Sequence, residues 1–247
     1  MNHMKDLIQE NIDNLSLLWK TVSIPFESFY SNPIFEYCEI VGSDWPNRLW
    51  YTRPLDAKTI IKTKELLSST SRTITIPYWD IDGLDTSRFL DENGFKVAFE
   101  QIGMSLKLAN KFEIQNRLII KRISTEFESV LWADLFSKSF GYNISSETII
   151  KSLNEVCYYL AYSNGHAVGT AIMHKTNDIS GVHAVGIPPE WRRKGFADQI
   201  MKLLINQAIL NGSNYMTLQA SNMGLGLYLK LGFKEQFRIK NYKLKDE

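Results

Sequence analysis

From Ala197 onward, apolar residues recur at helical spacing: Ala197, Ile200, Met201, Leu204, Ile205 and Ala208. Residues three, four and seven apart share one face of an α-helix, so this segment is a helix with a broad apolar stripe. Just before it, "ISGVHAVGI" (179–187) is a β-rich run. Pro188 and Pro189 stop that run, because proline donates no ladder hydrogen bond. A strand, a tight turn and a striped helix bury their apolar surfaces only by packing the helix on a sheet that contains the strand. The chain is therefore expected to be an α/β protein built on a mixed sheet.

The remaining elements support that class. Residues 1–30 read as helical, with Leu7, Ile12, Leu15, Leu18 and Trp19 at roughly helical spacing. "IFEYCEIV" (34–41) and "NRLWYT" (47–52) are β-rich and flank a turn-forming cluster, and Asp56 is placed to cap a helix over 57–67. "RTITIP" (72–77) alternates as a strand, and "TSRFLDEN" (86–93) is a short helix stopped at Gly94. Two strands are expected next, over 95–100 and 104–109. The order then restarts: a strand over 116–123, and a helix over 125–140 with Phe127, Val130, Leu131, Leu135 and Phe136 on one side. A second helix, capped by Ser145 or Ser146, precedes two strands joined at Asn164-Gly165, a hairpin turn. After the striped helix come a strand (215–220), a short helix ending at Gly232, and two strands, "FKEQF" and "KNYKL".

One echo organises these elements. "FLDENGFKVAF" (89–99) and "YLKLGFKEQF" (228–237) both read as short helix, Gly-Phe, strand. The matched order around them indicates a degenerate tandem duplication with its boundary near 111–114.

Composition narrows the partners. With 28 Lys and Arg against 27 Asp and Glu, the net charge is +1, which provides no general field for nucleic acid or an anionic membrane. Cys38 and Cys157 lie far apart without a CxxC, and the four histidines form no ligand cluster, so neither a disulfide scaffold nor a metal is expected. The N-terminus lacks a signal-peptide h-region and no apolar run spans a bilayer. A cytoplasmic protein is expected, and the abundance of Lys, Asn and Ile suggests a bacterial one.

Any anion site must then be local, and the turn "GIPPEWRRKGFA" (186–197) is the candidate. The first amides of a helix have no intrahelical acceptor, and the helix dipole makes that end positive. A strand, a tight turn and a helix N-terminus bind phosphate through such amides. Gly195 lets the backbone approach an anion, and Arg192, Arg193 and Lys194 surround the rim with charge. The pattern R-x-x-G-x-A is common by chance, and a solvated turn with a capping glycine would show it too.

The context gives it meaning. Ile187, Pro189, Arg192, Gly195 and Ala197 fit V-x-P-x-x-R-x-x-G-x-G/A, and Leu227, Tyr228, Leu231, Gly232 and Phe233 fit a helix ending "LYeklGF". With both motifs in order, the chain from about 114 onward resembles the GNAT superfamily of acyl-CoA-dependent N-acyltransferases. The resemblance implies a GNAT fold in the C-terminal half and a truncated GNAT-like N-terminal half, with domains at 1–111 and 112–247. It implies acetyl-CoA as co-substrate, its pyrophosphate on the amides of Arg193, Lys194, Gly195, Phe196 and Ala197. The pantetheine arm would lie along Val185, Gly186 and Ile187, and Tyr228 would protonate the departing thiolate. Where many relatives carry an asparagine contacting the cofactor, this chain has Ser221.

His183 is the first candidate for general base, and Asp178 the second. The first half lacks the cradle: "RPLD" follows "NRLWYT", and Phe89 stands opposite Tyr228. It is expected to form the acceptor side, with Trp45, Trp50, Tyr78 and Trp79 given no site role. The expected activity is acetyl transfer to a primary amine of a small molecule by direct attack, with homodimerisation open. Peptide or protein N-acetylation and a non-catalytic acyl-CoA sensor are the alternatives.

Overall fold

The computed structural model describes residues 2–79, 81, 86–115 and 117–245. Helix α1 (Asn2–Ser23) leads into a 3₁₀ turn and a small antiparallel sheet, β1 (Phe29–Ser31), β2 (Phe35–Cys38) and β3 (Arg48–Tyr51). Helix α2 (Ala57–Ser68) starts where Asp56 Oδ1 accepts the Thr59 amide at 2.7 Å. Strand β4 (Ile76–Trp79), helix α3 (Arg88–Asp91) and strand β5 (Phe95–Lys107) follow. Strand β4 begins later than the alternation of 72–77 suggested. Its ladder partner is reached only from Ile76, while Thr75 instead exchanges hydrogen bonds with Asn47 and Leu49 near β3.

The second half runs β6 (Ile119–Arg122), α4 (Glu126–Phe140), α5 (Ser146–Ser152), β7 (Cys157–Ser163), β8 (His166–Thr176), β9 (Ile179–Gly186), α6 (Phe196–Leu210), β10 (Tyr215–Ala220), α7 (Leu225–Lys230) and β11 (Lys234–Leu244). Thr125 and Glu128 form a capping box on α4, and Ser145 caps α5. Asn164 and Gly165 take left-handed φ values of 49° and 79° between β7 and β8, as the Asn-Gly hairpin requires.

Eight strands form one sheet in the order β4-β11-β5-β10-β9-β8-β7-β6, in which β9 and β10 are the parallel pair. Helices α6 and α7 cover one face, where Leu204 of α6 joins Met104, Met173 and Leu218 of the sheet in one cluster. Helices α1, α4 and α5 cover the other, over Trp132, Tyr158, Leu160 and Ile172. A third cluster, with Tyr37, Leu49, Ile60 and Phe95, fills the first half. Among the described residues no helix is long and apolar enough to cross a membrane.

Two expectations are corrected. The pairs of strands expected over 95–109 and 233–244 are each one continuous strand, β5 and β11. They pair with each other from Phe95↔Leu244 to Ser105↔Lys234, so neither turns back on itself. Gly103, in the gap between the two expected strands, lies under the Phe237 ring; a Cβ there would sit 2.4 Å from ring carbons. On α4, Phe127 and Val130 are 77% and 52% exposed, and the buried face runs through Ser129, Trp132, Leu135 and Phe136. Trp132 sets that rotation: its indole N–H is buried and donates to the Tyr159 carbonyl at 3.1 Å.

Candidate active site

Strands β9 and β10 pair only from Ile179–Gly181 to 215–217, and beyond that point they part. A bulge sharpens the divergence. Thr170 faces Gly186 and Ile172 faces His183, so two residues, Ala184 and Val185, stand opposite Ala171 alone. Ala184 takes a left-handed φ of 52°, and Thr170 Oγ1 donates to its carbonyl at 3.0 Å. Among the described residues, the edge of β9 at Val185 and Gly186 therefore has no paired strand on the β10 side.

At the end of β9 the chain makes a 3₁₀ turn (Pro189–Trp191) and enters α6 through Arg193 and Gly195, at φ 63° and 79°. Such alternation points successive amides to one concavity. Among the described residues no acceptor in the chain meets the amides of Arg193 to Asp198. A Cβ on Gly195 would meet nothing within 4 Å, so the positive φ, rather than crowding, demands glycine.

The Arg192 side chain is not on the rim. Its Nε donates to the Ile187 carbonyl and its Nη2 to the Ser139 carbonyl, both at 3.0 Å, lashing the turn to the end of α4. Gly186 permits that closeness, since a Cβ there would lie 2.6 Å from the Phe140 ring. Lys194 Nζ sits 4.4 Å over the Trp191 ring, and Arg193 remains exposed at the cradle.

A cleft of ≈ 830 Å³ opens where β9 and β10 diverge, with Val185, Ser221 and Tyr228 in its wall. Ser221 Oγ accepts the Gly224 amide at 3.3 Å at the entry to α7. The Tyr228 ring meets Phe233 edge-on at 5.8 Å, and burial pushes its phenol up to about 12, so it is a protonated donor at neutral pH. The strand edge and the phenol thus share one cleft, and the amide cradle follows in the chain at the end of that strand.

Residues 154–235 match the family model described as "Acetyltransferase (GNAT) domain". Residues 154–235 of this chain are a GNAT acetyltransferase domain. The GNAT fold extends beyond the matched segment. A GCN5-related N-acetyltransferase from Kribbella flavida superposes with a TM-score of 0.72 at 13% identity, covering 96% of each chain. One from Sphaerobacter thermophilus gives 0.65 at 14% identity, covering 86% of this chain and 78% of its own. A "Tandem GNAT protein from the clavulanic acid biosynthesis pathway" gives 0.57 at 12% identity, covering 86% and 79%. A search of curated proteins finds no match by sequence.

GNAT proteins use acetyl-CoA, and the residues here fit it: unpaired amides for a pyrophosphate and an open strand edge for an amide-bearing arm. The candidate bases fare differently. Asp178 sits at the far end of β9, accepting Asn214 Nδ2 at 2.9 Å, away from the cleft. His183 does line the cleft, but its Nδ1 is engaged by Gln219, and its Nε2 is shielded and lies 2.7 Å from where a Cβ on Gly181 would be. Burial, then the neighbouring His174, pull its pKa down to about 3. An imidazole so placed is a poor proton sink at neutral pH.

The sequence reading missed Asn11, Gln219 and Ser139. Asn11 and Asn14 are wholly buried on the otherwise apolar stripe of α1, and polar residues on such a stripe are the signal that marks them. Of the aromatics in the first half, Trp45 lines the large cleft, while Trp50, Tyr78 and Trp79 line a separate pocket of ≈ 360 Å³. Among the described residues no group of His, Cys, Asp or Glu could hold a metal ion.

Proposed function

We propose that this protein is an N-acetyltransferase that moves an acetyl group from acetyl-CoA to a primary amine of a small molecule, by direct attack in a ternary complex. One observation supports the reading: the open edge of β9 and the Tyr228 phenol share one cleft at the divergence of the sheet, and the chain runs from that edge directly into the unpaired amides of Arg193 to Ala197. Acetyl-CoA supplies the activated thioester. The cradle amides hold its pyrophosphate, the edge at Val185–Ile187 holds the pantetheine, and a main-chain N–H there polarises the acyl carbonyl. The amine nitrogen bonds the acetyl carbon, the carbon–sulfur bond breaks, and the thiolate takes the Tyr228 proton, which solvent replaces. The amine's own proton leaves to water.

The chain is also read as a tandem, with a degenerate GNAT-like unit at 1–111 and the catalytic unit at 112–247. The run α2–β4–α3–Gly94–Phe95–β5 repeats as α6–β10–α7–Gly232–Phe233–β11, with φ of 85° and 92° at the two glycines. The last strand of each run lies beside the other: β5 pairs with β10, and β11 with β4. In the first unit Asp56 occupies the helix amides and Phe89 replaces the tyrosine, so only the second unit can hold the donor. Two free thiols, Cys38 and Cys157, suit a reducing cytoplasm.

The test is thiol release from acetyl-CoA against small amines, amino acids and peptides, with acetyl-CoA binding followed by calorimetry. Turnover of a small amine supports the proposal. Turnover of peptides alone makes the protein a peptide acetyltransferase. Binding without any turnover makes it a sensor.

A further inference from the structure

The cleft beside Tyr228 extends into the first half of the chain, and its far wall holds a cation without an anion. Arg48, the first residue of β3, lines it. Its Nη1 donates to the carbonyls of Pro46 at 2.8 Å and Asn47 at 3.2 Å, and the guanidinium lies 5.8 Å from the Trp19 ring. That leaves Nε and Nη2. The Nε is shielded from water and has no partner, and no ion pair among the described residues includes Arg48. Arg72, in the same wall, shows the contrast: it is paired with Glu39 at 2.9 Å. The carboxylates that line the cleft, Asp44 and Glu100, do not pair with Arg48, and Asp44 instead accepts the Asn143 amide at 2.8 Å. Burial lowers the Arg48 pKa from its ordinary value, yet a guanidinium keeps its proton in a protein.

A poorly solvated cation with no counter-charge is unfavourable unless something supplies the charge. Once a turn of the side chain uncovers Nε, its edge with Nη2 is the planar fork that grips a carboxylate with two parallel hydrogen bonds. The geometry points to an acceptor that carries a carboxylate as well as its amine, an amino acid or related amino carboxylate, with its carboxylate on Arg48 and its amine at the Tyr228 end of the cleft. This rests on the N-acetyltransferase reading and specifies its substrate. It disfavours polyamines, whose second ammonium would face the guanidinium.

The test compares each amino acid with its methyl ester and its primary amide in thiol release from acetyl-CoA. The free acid is expected to show a kcat/KM about 30- to 100-fold above either neutral analogue, the range of a charge-assisted bidentate pair. Arg48→Gln erases that preference and leaves the affinity for acetyl-CoA unchanged. Arg48→Lys, which keeps a cation but not the fork, retains a small part of it and serves if the glutamine variant does not fold. Equal turnover of acids and neutral analogues by the unaltered protein overturns the inference while leaving the acetyltransferase reading intact. If no amine turns over, thermal shifts decide instead: N-acetyl amino acids must stabilise the protein more than their amides, through Arg48, and equal shifts overturn the inference.

Discussion

His183 Nδ1 lies 3.1 Å from Gln219 Oε1, and a chain of fixed partners decides which atom carries the proton. The Met104 carbonyl can only accept, so it orients Asn11 with Nδ2 toward it at 3.1 Å. Asn11 Oδ1 then accepts from Gln219 Nε2 at 2.8 Å, which turns Gln219 Oε1 toward the imidazole. Nδ1 is therefore the donor, and the lone pair is on the shielded Nε2. His183→Gln is expected to lower kcat less than about five-fold, against the hundred-fold or more that losing a general base costs. The rate should rise with pH following the acceptor amine, with no inflection near the ordinary histidine value.

The same histidine makes the fold acid-sensitive. Its folded pKa, about 3, lies below the unfolded value, so the unfolded chain binds the extra proton first. Its stabilising effect is complete above the unfolded pKa and is lost as pH falls toward 3. His174 is lowered as well, chiefly by burial, and adds with the same sign. Denaturant titrations at pH 7 and pH 4 should differ by about 2 kcal/mol less in His183→Gln than in the unaltered protein, a figure discounted for a ring that borders a solvent-filled cleft.

Tyr228→Phe keeps the ring against Phe233 and removes the phenol. Thiol release should fall by about 10²- to 10³-fold at unchanged acetyl-CoA affinity. Because burial holds the phenol near 12, no falling limb is expected below pH 10. Unchanged turnover would remove Tyr228 from the reaction.

At the cradle, Gly195→Glu should weaken acetyl-CoA binding at least about 100-fold in calorimetry, since it sets a carboxylate among amides meant for phosphate. Gly195→Ala has room for its methyl but not the φ of 79°, and should cost about 1 kcal/mol of stability. Arg192→Met frees the Ile187 and Ser139 carbonyls, and should raise the KM for acetyl-CoA and lower the melting temperature together.

The exchanged strands make their own prediction. Because β5 separates β10 from β11, a fragment of residues 112–247 leaves both of those strands with bare edges. It should show no cooperative unfolding by calorimetry, and adding residues 1–111 should restore it. Independent folding of the fragment would contradict the shared sheet.

Much of this was legible along the chain, because much of it is local. The stripe from Ala197 to Ala208, the caps at Asp56, Thr125 and Ser145, and the Asn164-Gly165 turn each depend on neighbours a few residues away. So does the cradle, whose amides are consecutive. Which stripe of α4 is buried was not legible, since Phe127-Val130-Leu131 and Trp132-Leu135-Phe136 have equally good spacing and only the sheet beneath chooses between them. The pairing of β5 with β11 joins residues more than a hundred positions apart, and no local pattern distinguishes it from two hairpins. Arg192 read as a phosphate ligand because its charge is visible in the sequence, whereas the two carbonyls that claim it are not. The sequence by itself determined most of the elements and the free amides at the start of α6, through short-range sterics and hydrogen bonding. The tertiary structure alone decided the shared sheet, the burial of His183 against Gln219 and the unpaired charge of Arg48, because burial and partnership belong to residues brought together from both halves.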